Sequence, residues 1–210
     1  EIMNLAFGLS LSQAFSVSTP DGLLDPKRLW RHSIETALAG QYLCRHKKQF
    51  LEQGVFTACI LHDFGKIFLF EHFPEEYGQI IQWSRQTGMP VHEFEEEIFG
   101  YNHGVVGGLI VKKWHLPESL VHAVSFHHHP SYSASHTRLA AITGLADYMA
   151  DTAQKDDQTL RINGIPGLQM DHMDILTGVI ADITTESIAG FIEDIRLFLN
   201  ENKQVVSLIS

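Results

Sequence analysis

Apolar residues recur every three or four positions along most of the chain, and strict alternation of apolar and polar residues is rare. Between residues 26 and 46 the apolar positions include Leu29, Trp30, Ile34, Ala37, Leu38 and Tyr42. Residues at this spacing share one face of a helix. Asp25 and Pro26 supply an N-cap and a first helical residue in front of them. The pattern therefore predicts a helix over about residues 26–46.

Glycines and prolines divide the rest of the chain into further helical segments. The run VFTACILHDF after Gly54 is apolar nearly all round, which predicts a central helix that ends near Gly65. No hairpin dipeptide separates two alternating runs, so the predicted fold class is all-α, a helical bundle. Other helix starts or stops are predicted at Pro74, Gly88, Pro90 and Pro117.

The length and apolar content predict one domain with a helical extension. The chain has 210 residues, of which 44% are hydrophobic, enough to bury a sizeable core. Residues 151–174 are richer in Asp, Gln and Gly and predict an irregular connector, and residues from about 173 to 207 predict two amphipathic helices. We therefore expect a core over residues 1–153, then a connector and packed C-terminal helices over 154–210. The first residue is Glu, so we expect a missing N-terminal part.

The charge limits which binding partners are expected, and the cysteine content indicates the cellular compartment. The formal net charge is -10, from 25 acidic and 15 basic residues, without a Lys/Arg cluster, so neither nucleic acid nor an anionic membrane surface is an expected partner. Apolar runs end well short of the roughly 18 residues that a membrane span needs. Cys44 and Cys59 lie in apolar helical stretches, which is typical of buried thiols in a reducing cytoplasm.

A candidate metal site begins with the dipeptide His62-Asp63. The imidazole and the carboxylate can face one cation, and a carboxylate can bridge two. Taken singly, His32 fits a core histidine and the triplet HHH at residues 127–129 fits a solvated helix end. A buried Asp147 without a cationic partner would be costly, which favours a metal. The other side chains in this candidate set are His32, His103, His127, His128 and Asp147.

Four stretches together resemble one known family over residues 1–153. They are LWRHSIETALAG, ILHDFGKIFL, EEEIFGYNHGVVGGLIVKKWHLPESLVHAVSFHHHP and LAAITGLADYMA. In order and context they are similar to the HD superfamily of metal-dependent phosphohydrolases, and more narrowly to its HDOD branch, the HD-related output domain. The resemblance implies an HD-domain-like helical bundle. The opening EIMNLAFGLSLSQAF resembles the end of the helical half that precedes the HD core in this family.

The resemblance also implies a ligand set for one or two divalent metal ions. The first position would be formed by His32, His62, Asp63 and Asp147, and the second by His103, His127 and His128 with Asp63 as the bridge. Ligands of these types suit Fe, Mn, Ni or Zn. Asp63 and Lys66 are the catalytic candidates, because Lys66 resembles the family lysine that meets a substrate phosphate; otherwise it is a plain helix-end lysine. His129 has no assigned role.

Two functions follow from the resemblance. The HDOD branch implies a bacterial signal-transduction output domain that acts through signalling partner proteins. The complete ligand set supports the alternative, a binuclear phosphohydrolase or phosphodiesterase whose substrate is a phosphate-containing small molecule, a nucleotide or cyclic dinucleotide. No Gly-Tyr-Pro follows the histidine triplet, and Arg28 stands where trinuclear members place a glutamate. A third metal and cyclic-di-GMP hydrolysis are therefore not expected. The acidic run EFEEE at residues 93–97 predicts a solvated helix face.

Overall fold

The computed structural model describes residues 24–46, 53–153 and 185–201, and within these ranges the chain is helical without any strand. This confirms the predicted all-α class. A short 3-10 turn spans Pro130–Tyr132. The helices are α1 Pro26–His46, α2 Val55–Leu61, α3 Phe64–His72, α4 Pro74–Thr87, α5 Val91–Phe99, α6 His103–Lys113, α7 Glu118–Ser125, α8 Thr137–Ala153 and α9 Thr185–Glu201.

Local capping chemistry explains several of the helix ends. The Asp25 carboxylate accepts a 3.0 Å hydrogen bond from the backbone N–H of Lys27, as an N-cap should. Helix α4 has Pro74 at its first position and ends at Gly88, whose φ of 76° is in the left-handed region that glycine tolerates best. The bounds predicted from Asp25, Pro74 and Gly88 are confirmed.

The helix predicted to run from Gly54 to about Gly65 is instead two helices. Helix α2 ends at Leu61, and α3 begins at Phe64 and continues to His72. Gly65 is not a stop signal but a packing position, because a Cβ atom there would overlap the backbone carbonyl of His103 on α6. The break therefore falls on His62-Asp63, and α3 and α6 are in close contact beside it.

Two apolar clusters hold the helices around this junction. The larger one packs α1, α2 and α8 around buried Trp30, Leu61 and Met149, and it also includes Ile188 and Ile195 from α9. The smaller one joins α3, α4 and α6. The connector predicted over residues 151–174 is wrong for residues 151–153, which belong to α8, and its remainder lies outside the described residues. Of the two predicted tail helices, one is described as α9.

The two cysteines are buried free thiols, as predicted. Burial raises the pKa of the Cys59 thiol, which keeps it protonated at neutral pH. No helix in the described ranges combines the length and the apolar character that crossing a bilayer requires.

Candidate metal centre

The seven predicted ligands come from separate helices and meet in one cluster. His32 lies in the middle of α1, His62 and Asp63 form the α2–α3 junction, and Asp147 lies on α8. In the second set, His103 is the first residue of α6. His127 and His128 follow Phe126, the residue that caps the end of α7. Since α1, α6 and α8 are held by the cores, the donor atoms are fixed by tertiary packing and not by one local loop.

The first group consists of His32, His62 and Asp147, whose donor atoms all lie within 4.8 Å of one another. His32 Nε2 is 2.8 Å and His62 Nε2 is 3.4 Å from Asp147 Oδ1. Two ligands that each lie about 2.1 Å from one ion, at tetrahedral or octahedral angles, are about 3.0–3.4 Å apart. The spacing therefore fits donors around a single transition-metal ion.

The second group consists of His103, His127 and His128, and its donor atoms also lie within 4.8 Å of one another. His103 Nε2 and His128 Nε2 are 3.0 Å apart. The rings of His127 and His128 have centroids 3.9 Å apart. This group offers three imidazoles, a donor set typical of transition-metal sites.

Asp63 lies between the two groups. Its Oδ1 is 3.0 Å from His103 Nε2 in the second group and 3.4 Å from His62 Nε2 in the first. Its Oδ2 is 3.8 Å from His32 Nε2. The side chain is 1% exposed. One carboxylate is therefore within reach of both groups, which is the placement that a bridging ligand requires.

The ring tautomers of three histidines direct a lone pair into the cluster. His62 Nδ1 donates to the Cys59 carbonyl at 2.7 Å, His127 Nδ1 donates to the Val124 carbonyl at 2.8 Å, and His103 Nδ1 donates to a Glu95 carboxylate oxygen at 2.6 Å. Because carbonyl and carboxylate oxygens accept here, Nδ1 of each ring carries a hydrogen, and in the neutral ring the lone pair is on Nε2. Backbone and carboxylate partners of this kind usually orient metal-binding histidines.

The surroundings of one buried nitrogen, His62 Nε2, show whether a cation fits this cluster. His62 Nε2 has no hydrogen-bond partner among the residues of 24–46, 53–153 and 185–201. It faces carboxylate oxygens of Asp63 and Asp147, each 3.4 Å away. In the neutral imidazole, which a metal ligand must be, the Nε2 lone pair would face two buried carboxylates and be repelled by both. A cation between these atoms would satisfy all three, so the residues fit a metal ion.

The carboxylates of the cluster are held in their ionised form. Burial alone would raise the pKa of Asp63, but the charges of His62, Lys66 and His103 hold it well below its usual value. Burial likewise opposes ionisation of Asp147, and His62 and His32 keep its pKa well below the usual value. Both carboxylates are thus ready to bind a cation at neutral pH.

The imidazoles of the second group differ in their protonation. Burial, and then the neighbouring histidines, lower the pKa of His127 and of His128 well below the usual range. Burial would also lower the pKa of His103, but the Glu95 carboxylate raises it overall. A metal ligand must be neutral at the donor nitrogen, so His127 and His128 meet this condition without further help.

Lys66 lies beside the bridging carboxylate. Its Nζ donates to Asp63 Oδ2 at 2.7 Å, and its side chain is 21% exposed. Burial would lower the pKa of Lys66, but Asp63 raises it above the usual value, so the amine stays charged. The lysine is therefore an integral part of the cluster and not a plain helix-end lysine. Contact with a substrate phosphate remains a prediction.

His129 lies outside both groups. Its Nε2 is 3.2 Å from Glu96 Oε1, and its ring stacks on Tyr132. It takes no part in the candidate metal groups, which agrees with its lack of an assigned role.

Glu95 is the residue that sequence reasoning misplaced. The run EFEEE predicted a solvated helix face, and this is wrong for Glu95, which is 0% exposed and bonded to His103. The signal was present in the spacing, because Glu95 falls on the same helical face as the apolar Val91 and Ile98. Tyr77, which donates to Glu95 at 2.6 Å, was not singled out at all.

Comparison with known proteins places the chain in a family. The family model of the HDOD domain matches residues 1–130. A relative named only as an uncharacterised protein, from Treponema pallidum (strain Nichols), is 22% identical over 128 residues, which is 60% of this chain. The chain spans about a quarter, 24%, of that relative's length.

Three crystal structures share the fold at low sequence identity. A protein from Shewanella amazonensis SB2B, provisionally named a phosphohydrolase, matches with a TM-score of 0.73 at 21% identity, over 99% of this chain and 71% of that protein. An HDOD domain protein of unknown function from Geobacter sulfurreducens matches with a TM-score of 0.65 at 21% identity, over 97% and 66%. A Marinobacter aquaeolei VT8 protein, provisionally named a signal transduction protein, matches with 0.75 at 18%, over 99% and 44%. With more than half of its residues matched by the family model, the chain belongs to the HDOD domain family.

Proposed function

We propose that this chain is a bacterial signal-transduction output domain of the HDOD type that binds two adjacent transition-metal ions. The observation that carries the proposal is the convergence of two donor groups on one shared carboxylate, Asp63. The provisional name of the Marinobacter relative supports the signalling role. The match of residues 1–130 to the HDOD family model supports the HDOD type.

The donor set favours particular metals. Five imidazoles and two carboxylates make up the groups, and imidazole is a ligand that Fe, Mn, Ni and Zn accept, whereas Mg and Ca prefer oxygen alone. The first ion would be held by His32, His62, Asp63 and Asp147. The second would be held by Asp63 and the imidazoles of His103, His127 and His128.

The position of these donors supports a structural role for the metal in signalling. The ions would link α1, the α2–α3 junction, α6, the end of α7 and α8, so that metal binding would rigidify the whole core. A ligand that binds only the folded form stabilises it by an amount that grows with ligand concentration. Signalling partner proteins would then recognise the metal-loaded surface. The net charge of -10 argues for protein partners and against nucleic acid or anionic membranes, and the cytoplasm is the proposed location.

A phosphohydrolase is the second candidate, and the complete two-position site favours it. A pair of such ions supplies an activated water and charge stabilisation for phosphoryl transfer. In this chain Lys66 would meet the phosphate, which requires Nζ to turn from its 2.7 Å bond with Asp63. The Shewanella relative bears a provisional phosphohydrolase name.

One experiment separates the two candidates. The protein is purified without chelators, reconstituted with Mn²⁺ or Zn²⁺, and incubated with panels of phosphodiesters and nucleotides beside an Asp63→Ala variant. We expect retained metal and no turnover above that of the variant, because the output role needs binding but no hydrolysis. Metal-dependent turnover that the variant lacks would establish the phosphohydrolase instead. Protein that carries no metal and takes up none would rule out the phosphohydrolase and the metal binding of the output domain.

A further inference from the structure

A buried hydrogen-bond network of Tyr77, Glu95 and His103 lies next to the second metal group and connects α4, α5 and α6. The Tyr77 hydroxyl donates to Glu95 Oε1 at 2.6 Å. Glu95 Oε2 accepts from His103 Nδ1 at 2.6 Å and from the His103 backbone N–H at 2.7 Å. Tyr77 and Glu95 are both 0% exposed, and His103 is 1% exposed. None of these bonds is reachable by bulk water, so their geometry is set by the protein alone.

Each hydrogen bond among Tyr77, Glu95 and His103 has a defined donor and acceptor. Glu95 Oε1 accepts from the Tyr77 hydroxyl, and Glu95 Oε2 accepts from both Nδ1–H and the backbone N–H of His103. His103 therefore carries a hydrogen on Nδ1, and its Nε2 lies 3.0 Å from Asp63 Oδ1 and 3.0 Å from His128 Nε2. The Glu95 carboxylate fixes which nitrogen of His103 is offered to a metal.

The charge of Glu95 is also directed toward the second metal position. A buried carboxylate is costly unless it is hydrogen-bonded and paired. Within the described ranges, its one ion-pair partner is His103, the ring that separates it from the cluster. No lysine or arginine in these ranges forms an ion pair with it. Its hydrogen bond to His103 is therefore the contact through which Glu95 reaches the second metal position.

We infer that Glu95 is a positioning residue that orients His103 and strengthens its donor nitrogen for the second metal ion, with Tyr77 fixing the carboxylate in turn. The inference rests on the proposed metal-binding function. A carboxylate hydrogen-bonded to a ligating imidazole raises the basicity of the ring and locks its orientation. The second group depends on this support most, because its own three ligands are imidazoles and none of them is anionic.

The test compares four variants of the chain by Zn²⁺ titration against a chromophoric chelator. Glu95→Ala should weaken one of the two Zn²⁺ affinities by about 10–100-fold, the usual effect of losing such a partner, and should leave the other unchanged. Glu95→Gln should restore part of the affinity, since its amide oxygen can accept both His103 hydrogens without the charge. Tyr77→Phe should have a smaller effect of the same sign. Glu97→Ala, which removes an exposed carboxylate from the same helix, is the matched control.

A second readout separates positioning from a general loss of structure. ¹⁵N NMR of the metal-free protein, at a pH high enough for the His103 ring to be neutral, should show the Nδ1–H tautomer of His103 in the parent and in Glu95→Gln, and a mixture of tautomers in Glu95→Ala. If each of the two Zn²⁺ affinities is the same in the parent, Glu95→Ala and Glu95→Gln, the inference is overturned and the metal function stays intact. A parent protein that binds no Zn²⁺ would overturn the metal function together with the inference. If Glu95→Ala does not fold, Glu95→Gln and Tyr77→Phe still decide the outcome.

Discussion

Replacing Asp63 by alanine should remove metal from both positions. Its two oxygens lie next to donors of both groups, 3.0 Å from His103, 3.4 Å from His62 and 3.8 Å from His32. Both ions would lose an anionic ligand at once, and we expect an affinity loss of more than about 100-fold for each, equivalent to about 2.7 kcal/mol. Metal analysis of the variant, purified beside the parent without chelators, measures this directly.

The control for this variant must remove a carboxylate without touching the cluster. Glu71 is exposed and lies on α3, the helix that Asp63 precedes, so Glu71→Ala should keep the metal content of the parent. Asp63→Ala also leaves Lys66 without its 2.7 Å partner, so circular dichroism must show that the variant is folded. A folded Asp63→Ala protein with the full metal content of the parent would show that Asp63 is no ligand.

A substitution in the first group and a substitution in the second group should each remove a different metal ion. His32→Ala takes a donor from the first group, whereas His128→Ala takes a donor from the second. Because the groups share only Asp63 among the proposed ligands, each variant should lose about half of the bound metal, and the double variant should lose nearly all of it. Metal stoichiometry by elemental analysis, together with the Mn²⁺ spin coupling of a two-ion site by EPR, measures both effects.

A histidine outside the groups provides the control for this pair. His72 is exposed at the end of α3, where its Nδ1 bonds to the Phe68 carbonyl, and His72→Ala should keep both ions and their spin coupling. If His32→Ala and His128→Ala instead lose the same ion, or if each loses all metal, the description of two groups with one bridge is wrong.

The helices could be predicted where short-range chemistry determines them. The start of α1 at Pro26 and the end of α4 before Gly88 follow from a cap, a proline and a left-handed glycine. The break at His62-Asp63 could not be predicted in this way, because the apolar pattern continues through it from α2 into α3. Gly65, two residues after the break, packs against the backbone of His103 on α6, a long-range contact that the local pattern does not contain.

The residues of the candidate site could likewise be predicted only in part from the sequence. Periodicity alone left His32 as a plausible core residue and the histidine triplet as a helix end, and the family resemblance was needed to group seven residues from separate helices. Glu95 was missed because its charge was given more weight than its place on the apolar face of α5. The energetic reason for burying it, the hydrogen bond to His103, exists only in the folded chain.

The most direct test of the account is the anomalous diffraction of crystals grown with Zn²⁺ or Mn²⁺. The account predicts two peaks about 3.5–4 Å apart, the usual spacing of a two-metal site. Ligand distances should be about 2.0–2.3 Å, with His32, His62 and Asp147 at one ion, His103, His127 and His128 at the other, and Asp63 at both. Crystals that show no peak in this cluster, or a single peak that Asp63 does not contact, would contradict it.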